Sequence, residues 1–529
     1  MSFMSLPFLL FLLGAVLLYY LMPLRIRWVA LLICSYVFYL SAGFQLVIYL
    51  LLTITSNYLA GRLLDRNNLA YSAQVKELST RELQKELKQR FTKRKKIIVA
   101  LPVILNVGVL VFFKWFNTLA AGLNTVLSPL LPSLSIPTFS LLLPLGISFY
   151  TFQAVGYLID VYRGKIPAEK NFAKFMLFVS FFPQLIQGPI SRYDELAQQL
   201  FEPHHFRFTS LKSGMQLMLW GYFKKMVIAD RIVVIVNEIF KNGNRYAGAY
   251  ILVGTIAGAI YVYTDFSGGV DIARGAAELF GISLPQNFQR PYFSTSLAEY
   301  WRRWHITINN WWRDYVFYPL TLSKPFVRLG RFCRQHLGHQ WGKMISVYVG
   351  IYVVRLINAM WHGANLIYVF SGLYNGLIIT TALILTPLFE KIKTALKINT
   401  DCFSWRLFQI IRTFLLVCTG RIFVSSPNIQ SAFASFRDLF AQFNPHIFFD
   451  GTLYSLGLGE DAFHAMVVAI LVVLVVSILQ EKGIKIRETL NKQNEVFQWL
   501  ITVSLIFAII ILGAYGKGYN PSSFVYMRF

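Results

Sequence analysis

Cysteine is scarce in this chain: Cys34, Cys333, Cys402 and Cys418 are scattered over 529 residues without a CxxC pair. That spacing implies no disulfide framework. Charge is scarce as well, at 14% of residues against 56% hydrophobic. One water-facing globule cannot hide so much apolar surface, so the composition calls for lipid as solvent. No Walker-type glycine loop, internal repeat, low-complexity tract or soluble domain is found, which argues against a nucleotide-driven transporter and a repeat protein. Acidic residues are outnumbered, 25 Asp and Glu against 50 Lys and Arg. The bases sit in short loops between apolar runs, the positive-inside pattern of a membrane protein, so no nucleic-acid partner is expected.

What is present is a succession of apolar windows of roughly 18 or more residues, the length that carries a helix across about 30 Å of hydrocarbon. They fall near 6–22, 28–52, 98–116, 139–159, 172–190, 211–240, 249–264, 344–361, 364–388, 405–424, 464–480 and 497–514. The expected fold is an all-α polytopic membrane protein with about 10–12 transmembrane helices, a single membrane-embedded domain over residues 1–529. The first window lacks a basic flank and a small-residue cleavage site, so no removable signal peptide is expected. The longest polar stretch, 62–96, is basic and helix-favouring, and reads as a cytoplasmic connector within the domain. Leu78, Leu83, Leu87 and Phe91 allow it to lie on anionic headgroups; a solvated connector is the alternative.

Polar groups at membrane depth are functional candidates, because each must offset the cost of leaving water. Three clusters qualify. In ISVYVGIYVVRLINAMWHGANLIYVF a helical reading puts Arg355, Asn358, His362 and Asn365 near one stripe, so His362 lines either protein or a water-filled cavity. Gly363 permits a local break. A buried neutral imidazole can take a proton from a hydroxyl and return it, while an interhelical hydrogen bond is the plainer role. In AEYWRRWHITINNWWRDYVFYPL, residues 298–320, one helical face would hold Arg302, His305, Asn309 and Trp312. That segment is too charged to span unaided, and reads as an interfacial helix or one folded in from one side. In YVYTDFSGGVDIARGAAELFGI, Asp265, Asp271 and Arg274 flank Gly268-Gly269, which suggests a broken helix lining a cavity or a structural ion pair at a kink. Cys333, His336 and His339 in CRQHLGH lack an obvious fourth ligand, so no metal site is expected.

Read in order, PLGISFYTFQAVGYLIDVYRG (144–164), FFPQLIQGPISRYDEL (181–196), NFQRPYFSTSLAEYWRRWHITINNWWRDYVFYPL (287–320), MWHGANLIYVFSGLYNG (360–376) and the tail FVYMRF (524–529) resemble the membrane-bound O-acyltransferases. The likeness is to the bacterial branch of alginate O-acetyltransferase and teichoic-acid D-alanyl transferase. It departs at TLSKPFVRL, where relatives often have a GGN-type turn, at FSGGVD for FSGYSD, and at GLYNG for GLYHG, which places Asn375 where some carry histidine. The resemblance implies a helical funnel with interfacial and re-entrant helices and a histidine at its constriction, matching His362, with a second matching His305.

It further implies an acyl thioester from the cytoplasm, acetyl-CoA or a carrier-protein thioester, and a hydroxyl acceptor from outside. His362 would be the general base, and His305 or Asn358 an oxyanion donor. Asn358, Arg355, Asn365, Arg302, Asn309 and Asp265 are substrate-channel candidates. No bound cofactor is called for. Expected partners are an extracytoplasmic SGNH-hydrolase-like acyltransferase, polysaccharide synthesis and export machinery, an acyl carrier protein and membrane lipid, at the bacterial inner membrane. D-alanyl transfer to teichoic acid is the alternative cargo, and a lipid-linked sugar flippase the alternative class.

Overall fold

The computed structural model describes residues 1–515 and Phe524, except 130, 132–134, 140–142, 242–244 and 442. The tail motif at 524–529 therefore lies, apart from Phe524, outside the described residues, as does part of the window at 139–159. Among the described residues no β-strand forms, and one isolated antiparallel bridge joins Phe288 to Trp304.

The helices in chain order begin with α1 (Leu6–Leu21), α2 (Arg27–Leu40), α3 (Val47–Lys76), α4 (Arg81–Leu127), α5 (Ile147–Arg163), α6 (Phe172–Ser180), α7 (Phe182–Leu185) and α8 (Tyr193–Phe201). Next come α9 (Phe208–Tyr222), a π-helical turn Phe223–Ala229, α10 (Asp230–Lys241), α11 (Ala249–Glu278), α12 (Leu297–Arg303), α13 (Ile306–Trp312), α14 (Tyr318–Thr321) and α15 (Lys324–Leu337). The last are α16 (His339–His362), α17 (Leu366–Ala395), α18 (Phe403–Ser425), α19 (Ile429–Ala441), α20 (Glu460–Glu481), α21 (Ile486–Asn491) and α22 (Glu495–Leu512). Eight of these, α3, α4, α11, α16, α17, α18, α20 and α22, are long and apolar enough to cross a membrane; α1 is shorter.

Three expected windows are interrupted. The stretch 28–52 stops at Leu40, turns through Gly43 at φ 144° and resumes as α3. The stretch 172–190 breaks at Phe181, and 211–240 passes through the π-helical turn. Hydropathy registers the apolar content of such segments but not the local backbone that divides them.

The described residues form two compact units, Met1–Met215 with Ala273–Pro285, and Gln216–Ile272 with the described residues from Gln286 onward. In the first, an aromatic cluster fills the core: Phe3 meets Phe8 at 4.8 Å and Phe38 meets Phe182 at 5.7 Å between ring centroids. Its polar connector is not a loop. Residues 62–76 prolong α3 and 81–96 open α4, with Phe91 buried against Tyr71 at 5.6 Å. At about 1.5 Å per residue, the 47 residues of α4 reach well beyond the hydrocarbon, so its basic first turns lie outside lipid.

In the second unit, α20 and α22 present Leu471, Val475, Ile510 and Ile511 outward, the apolar faces expected toward lipid. The apolar stretch of α11 is 61% buried against 11% for α22, which makes α11 an internal helix. The expected break at Gly268-Gly269 does not occur, because α11 is continuous from Ala249 to Glu278. Gly268 instead permits close packing: a Cβ there would stand 2.9 Å from the Gly221 carbonyl oxygen, and one on Gly221 2.6 Å from that of Gly268. Beside this contact the widened π turn directs two successive lysines at α11. Lys225 Nζ lies 2.6 Å from Asp265 and 2.7 Å from Asp230, and Lys224 Nζ lies 2.7 Å from Asp271. Asp265 is thus engaged in a buried ion pair, the structural alternative read from the sequence.

Candidate active site

The aromatic, arginine-rich segment is not one helix. Ser296 caps α12 by accepting a hydrogen bond from the Glu299 N–H, and the Glu299 carboxylate accepts one from the Thr295 N–H at 2.9 Å. Immediately after α12 the backbone leaves the helix. Trp304 is extended and paired with Phe288, flanked by Gln289 N–H donating to Arg303 O (2.9 Å) and Ile306 N–H to Asn287 O (3.0 Å). His305 then adopts φ 45°, ψ 56° before α13 starts. A left-handed non-glycine residue costs on the order of 1 kcal/mol, and the bridge, with Trp304 stacked on Tyr300 at 5.6 Å, holds it in place. The expected common face of Arg302, His305, Asn309 and Trp312 is accordingly broken at Trp304. Arg302 ends up exposed.

The His305 ring is fixed by Asn287. The Asn287 side-chain oxygen accepts from the Thr307 backbone N–H (3.0 Å) and from its hydroxyl (3.0 Å), and faces His305 Nδ1 at 3.3 Å. A backbone N–H can only donate, so the amide atom there is oxygen and His305 Nδ1 must carry the proton. Nε2 then bears the lone pair. The ring is 2% exposed, edge-on to Phe266 at 4.7 Å and 6.3 Å from Trp361. Burial, and after it the neighbouring His362, pushes this imidazole well below its ordinary pKa, so it is neutral. In that tautomer Nε2 accepts and does not donate.

His362 is the last residue of α16. Gly363 ends the helix at φ 156°, with a Cβ there only 3.2 Å from the Tyr368 ring, and Asn365 caps α17 by accepting from Ile367 N–H at 3.0 Å. The stripe read from the sequence therefore holds for Arg355, Asn358 and His362 and fails at Asn365, which belongs to the next helix. A partly enclosed cavity of about 110 Å³ is lined by His305, Asn309, Arg355, Asn358 and His362. Asp265, Arg302 and Asn365 are not among its lining residues. Asn358 is buried and its Oδ1 has no hydrogen-bond partner among the described residues. Asn309 is committed to the backbone, donating to Trp304 O (2.8 Å) and His305 O (3.1 Å).

The cavity also takes in Trp301, Tyr368, Asn375 and Arg421, which sequence reasoning missed. Arg421 carried a usable signal, a basic residue inside the apolar window 405–424. The aromatic residues carried none, since lining and core aromatics read alike. Asn375, given no catalytic part, accepts from Trp301 Nε1 at 3.1 Å. Among the described residues no group of three His, Cys, Asp or Glu could hold a metal ion. His336 instead stacks on Phe332 at 4.3 Å.

The sequence profile of the membrane-bound O-acyltransferase family matches residues 165–423, which include every lining residue except Val424. The protein named probable alginate O-acetylase in Pseudomonas syringae is 33% identical over 64% of this chain, and the chain spans 60% of its length. Its namesake in Pseudomonas aeruginosa is 32% identical over 80% of this chain and 72% of its own. The teichoic acid D-alanyltransferase of Bacillus subtilis is 27% identical over 57% of this chain and 75% of its own. Similarity of that extent, with the helical architecture above, makes this multi-pass all-α chain a member of the membrane-bound O-acyltransferase family.

Proposed function

We propose that the chain transfers an acyl group, acetyl in the first instance, from a cytoplasmic thioester to a hydroxyl on an exported polysaccharide or on a partner acyltransferase of the SGNH-hydrolase type. The carrying observation is that His305 and His362, 57 positions apart in the chain, line one cavity. The higher identity to the acetylases than to the D-alanyltransferase supports acetyl as the cargo. D-alanine delivered from a carrier protein to teichoic acid is the second reading, favoured by the similarity to the Bacillus subtilis protein. The expected setting is the bacterial inner membrane.

In this mechanism the acceptor oxygen attacks the thioester carbonyl as His362 takes the hydroxyl proton. Collapse of the tetrahedral intermediate breaks the carbon–sulfur bond, and the imidazolium returns the proton to the departing thiolate. His362 ends α16, so the transient cation sits among the carbonyls of a helix C-terminus, an arrangement worth about 0.3–1 kcal/mol. His305, neutral and presenting its Nε2 lone pair, accepts a hydrogen bond from the acceptor hydroxyl and orients it. Asn358 supplies an N–H to the developing oxyanion.

The test is ester analysis of the surface polymer from cells with and without this chain. Loss of acetyl esters from a polymer still made and exported supports the proposal. Loss of the polymer itself, with normal acetylation of what remains, overturns it in favour of a flippase, and loss of D-alanyl esters supports the second cargo.

A further expected result concerns Asn287 as a positioning residue. Asn287→Leu removes the acceptor that selects the Nδ1–H tautomer, and kcat should fall about tenfold or more. Asn287→Asp keeps an acceptor but favours the imidazolium, so the acid limb of the pH–rate profile should move to higher pH. A purely structural role would lower activity in both variants without moving that limb.

A further inference from the structure

Two arginines line the cavity, and each lies over an indole: Arg355 of α16 over Trp301 at 4.4 Å, and Arg421 of α18 over Trp304 at 5.8 Å from the ring centroid. The two indoles are held by different means. Trp304 is buried, stacked on Tyr300 at 5.6 Å and tied into the backbone bridge with Phe288. Trp301 stands on α12, is only half-buried, and meets Tyr300 edge-on at 5.3 Å. The contact that sets the rotation of its ring is polar: its Nε1–H donates to the Asn375 side-chain oxygen at 3.1 Å. Asn375 reaches that indole because α17 packs closely on α16. Gly372 and Gly376 flank it at the four-residue spacing that lets membrane helices approach. A Cβ on Gly372 would stand 2.8 Å from the Ala359 Cβ and 2.9 Å from the Arg355 carbonyl oxygen, and one on Gly376 would stand 2.8 Å from the Tyr352 ring.

We infer that Asn375 is a positioning residue of this cavity: its side-chain oxygen fixes the Trp301 indole, and the face of that indole fixes the guanidinium of Arg355. The Asn375 amide can be oriented only one way. Its Nδ2 donates to the Ser371 carbonyl oxygen at 2.8 Å, a group that only accepts, and its Oδ1 meets an indole N–H, a group that only donates. Both bonds impose the same orientation. At the other end of the relay, an arginine side chain carries about 2 kcal/mol of rotamer entropy, and a fixed aromatic face confines it by stacking and cation–π attraction. Arg355 stands about two turns before His362 on α16, so its placement shapes the wall beside the histidine. An indole N–H withdrawn from water seeks an acceptor. Without the Asn375 oxygen the ring turns toward another partner, and the platform under Arg355 turns with it.

This inference rests on the acyl-transfer reading of the cavity, and its test separates the two. The full chain in lipid vesicles is supplied with acetyl-CoA and, in turn, an oligouronate, a neutral oligoglucan and a glycerol phosphate oligomer. The acceptor that the wild type uses fastest serves for every variant. Asn375→Leu, close to asparagine in size, should lower kcat/KM about tenfold or more. The same change should cost about twofold or less once Trp301→Phe has removed the donor, and again once Arg355→Gln has removed the cation, because coupled residues are not additive. A packing role, or direct contact of Asn375 with substrate, would give the full loss in all three backgrounds. Survival of that loss in either background overturns the inference, as does a loss below about threefold in the wild type. Asn375→Ala repeats the cycle with space emptied rather than filled, and decides it if the leucine variant does not fold. Absence of turnover by the wild type with every acceptor is a failure of the acyl-transfer reading alone. The same cycle on the thermal unfolding midpoint then judges the hydrogen bond, as it does for any background too slow to assay. A decrease from Asn375→Leu that vanishes in Trp301→Phe supports it, and an equal decrease in both overturns it.

Discussion

Replacing His362 by Ala should lower kcat for acyl transfer by about 10²–10⁴, the range that a positioned general base contributes. The reason is chemical. A hydroxyl is a weak nucleophile near neutrality, and no carboxylate among the cavity's lining residues can take over the proton. His362 is only half-buried and ends its helix, so truncation removes little packing, and the variant should keep its thermal stability to within about 1 kcal/mol. His362→Gln keeps much of the side chain's size and hydrogen bonding but cannot accept and return a proton, and it should be as inactive as the Ala variant. The measurement is initial rate of acetyl transfer by purified protein in vesicles, with donor and acceptor both saturating. Retention of more than a tenth of wild-type kcat in both variants would show that proton removal does not pass through this residue. His305→Ala should act differently: its ring is enclosed and its backbone strained, so it should cost stability as well as rate.

The same two histidines show what can be read in a linear sequence and what cannot. The helical period placed Arg355, Asn358 and His362 on one stripe, and α16 carries all three to the cavity, because a helix converts spacing directly into facing. The period fails at points where backbone pairing overrides it. Residues 287–289 pair with Trp304 and its neighbours and turn the chain at His305, and that pairing depends on residues some 15 positions upstream, beyond any local pattern. Gly363 ends a helix and frees Asn365 to cap the next, an outcome a local break at glycine foreshadows but does not determine. Gly268 misleads in the opposite direction: read as a break, it is a site of close packing inside an unbroken helix. Apolar windows located membrane helices well where a helix runs straight through lipid, as in α20 and α22, and poorly where short helices meet inside protein, as in α6 and α7. Arg421 was within reach of the rule that intramembrane charge signals function; the aromatic residues that position it were not.

The charge of Lys225 gives the second large expectation. Lys225→Met should destabilise the folded protein by about 3–5 kcal/mol, the usual consequence of removing one partner from a buried ion pair. Its side chain is 1% exposed and the ammonium lies between Asp265 at 2.6 Å and Asp230 at 2.7 Å, so its loss removes the cation that bridges two enclosed carboxylates. Removing the charges together should recover most of the loss, since apolar or neutral replacements of similar size carry no desolvation penalty. Lys225→Met combined with Asp265→Leu and Asp230→Asn is therefore expected to be closer to wild type than the single variant. Thermal unfolding of detergent-purified protein, followed by tryptophan emission, is the readout. Acyl-transfer rate per folded molecule supplies the second arm, and it should stay within about twofold of wild type in the triple variant, because none of the three residues lines the cavity. A different pattern would reassign the group: if Asp265→Asn left the unfolding midpoint unchanged and still stopped turnover, Asp265 would belong to the substrate path and the ion pair would be its gate. The choice between scaffold and path is decided by which of the two quantities moves, since a buried pair that only holds α11 to the π-helical turn can affect rate solely through the population of folded protein.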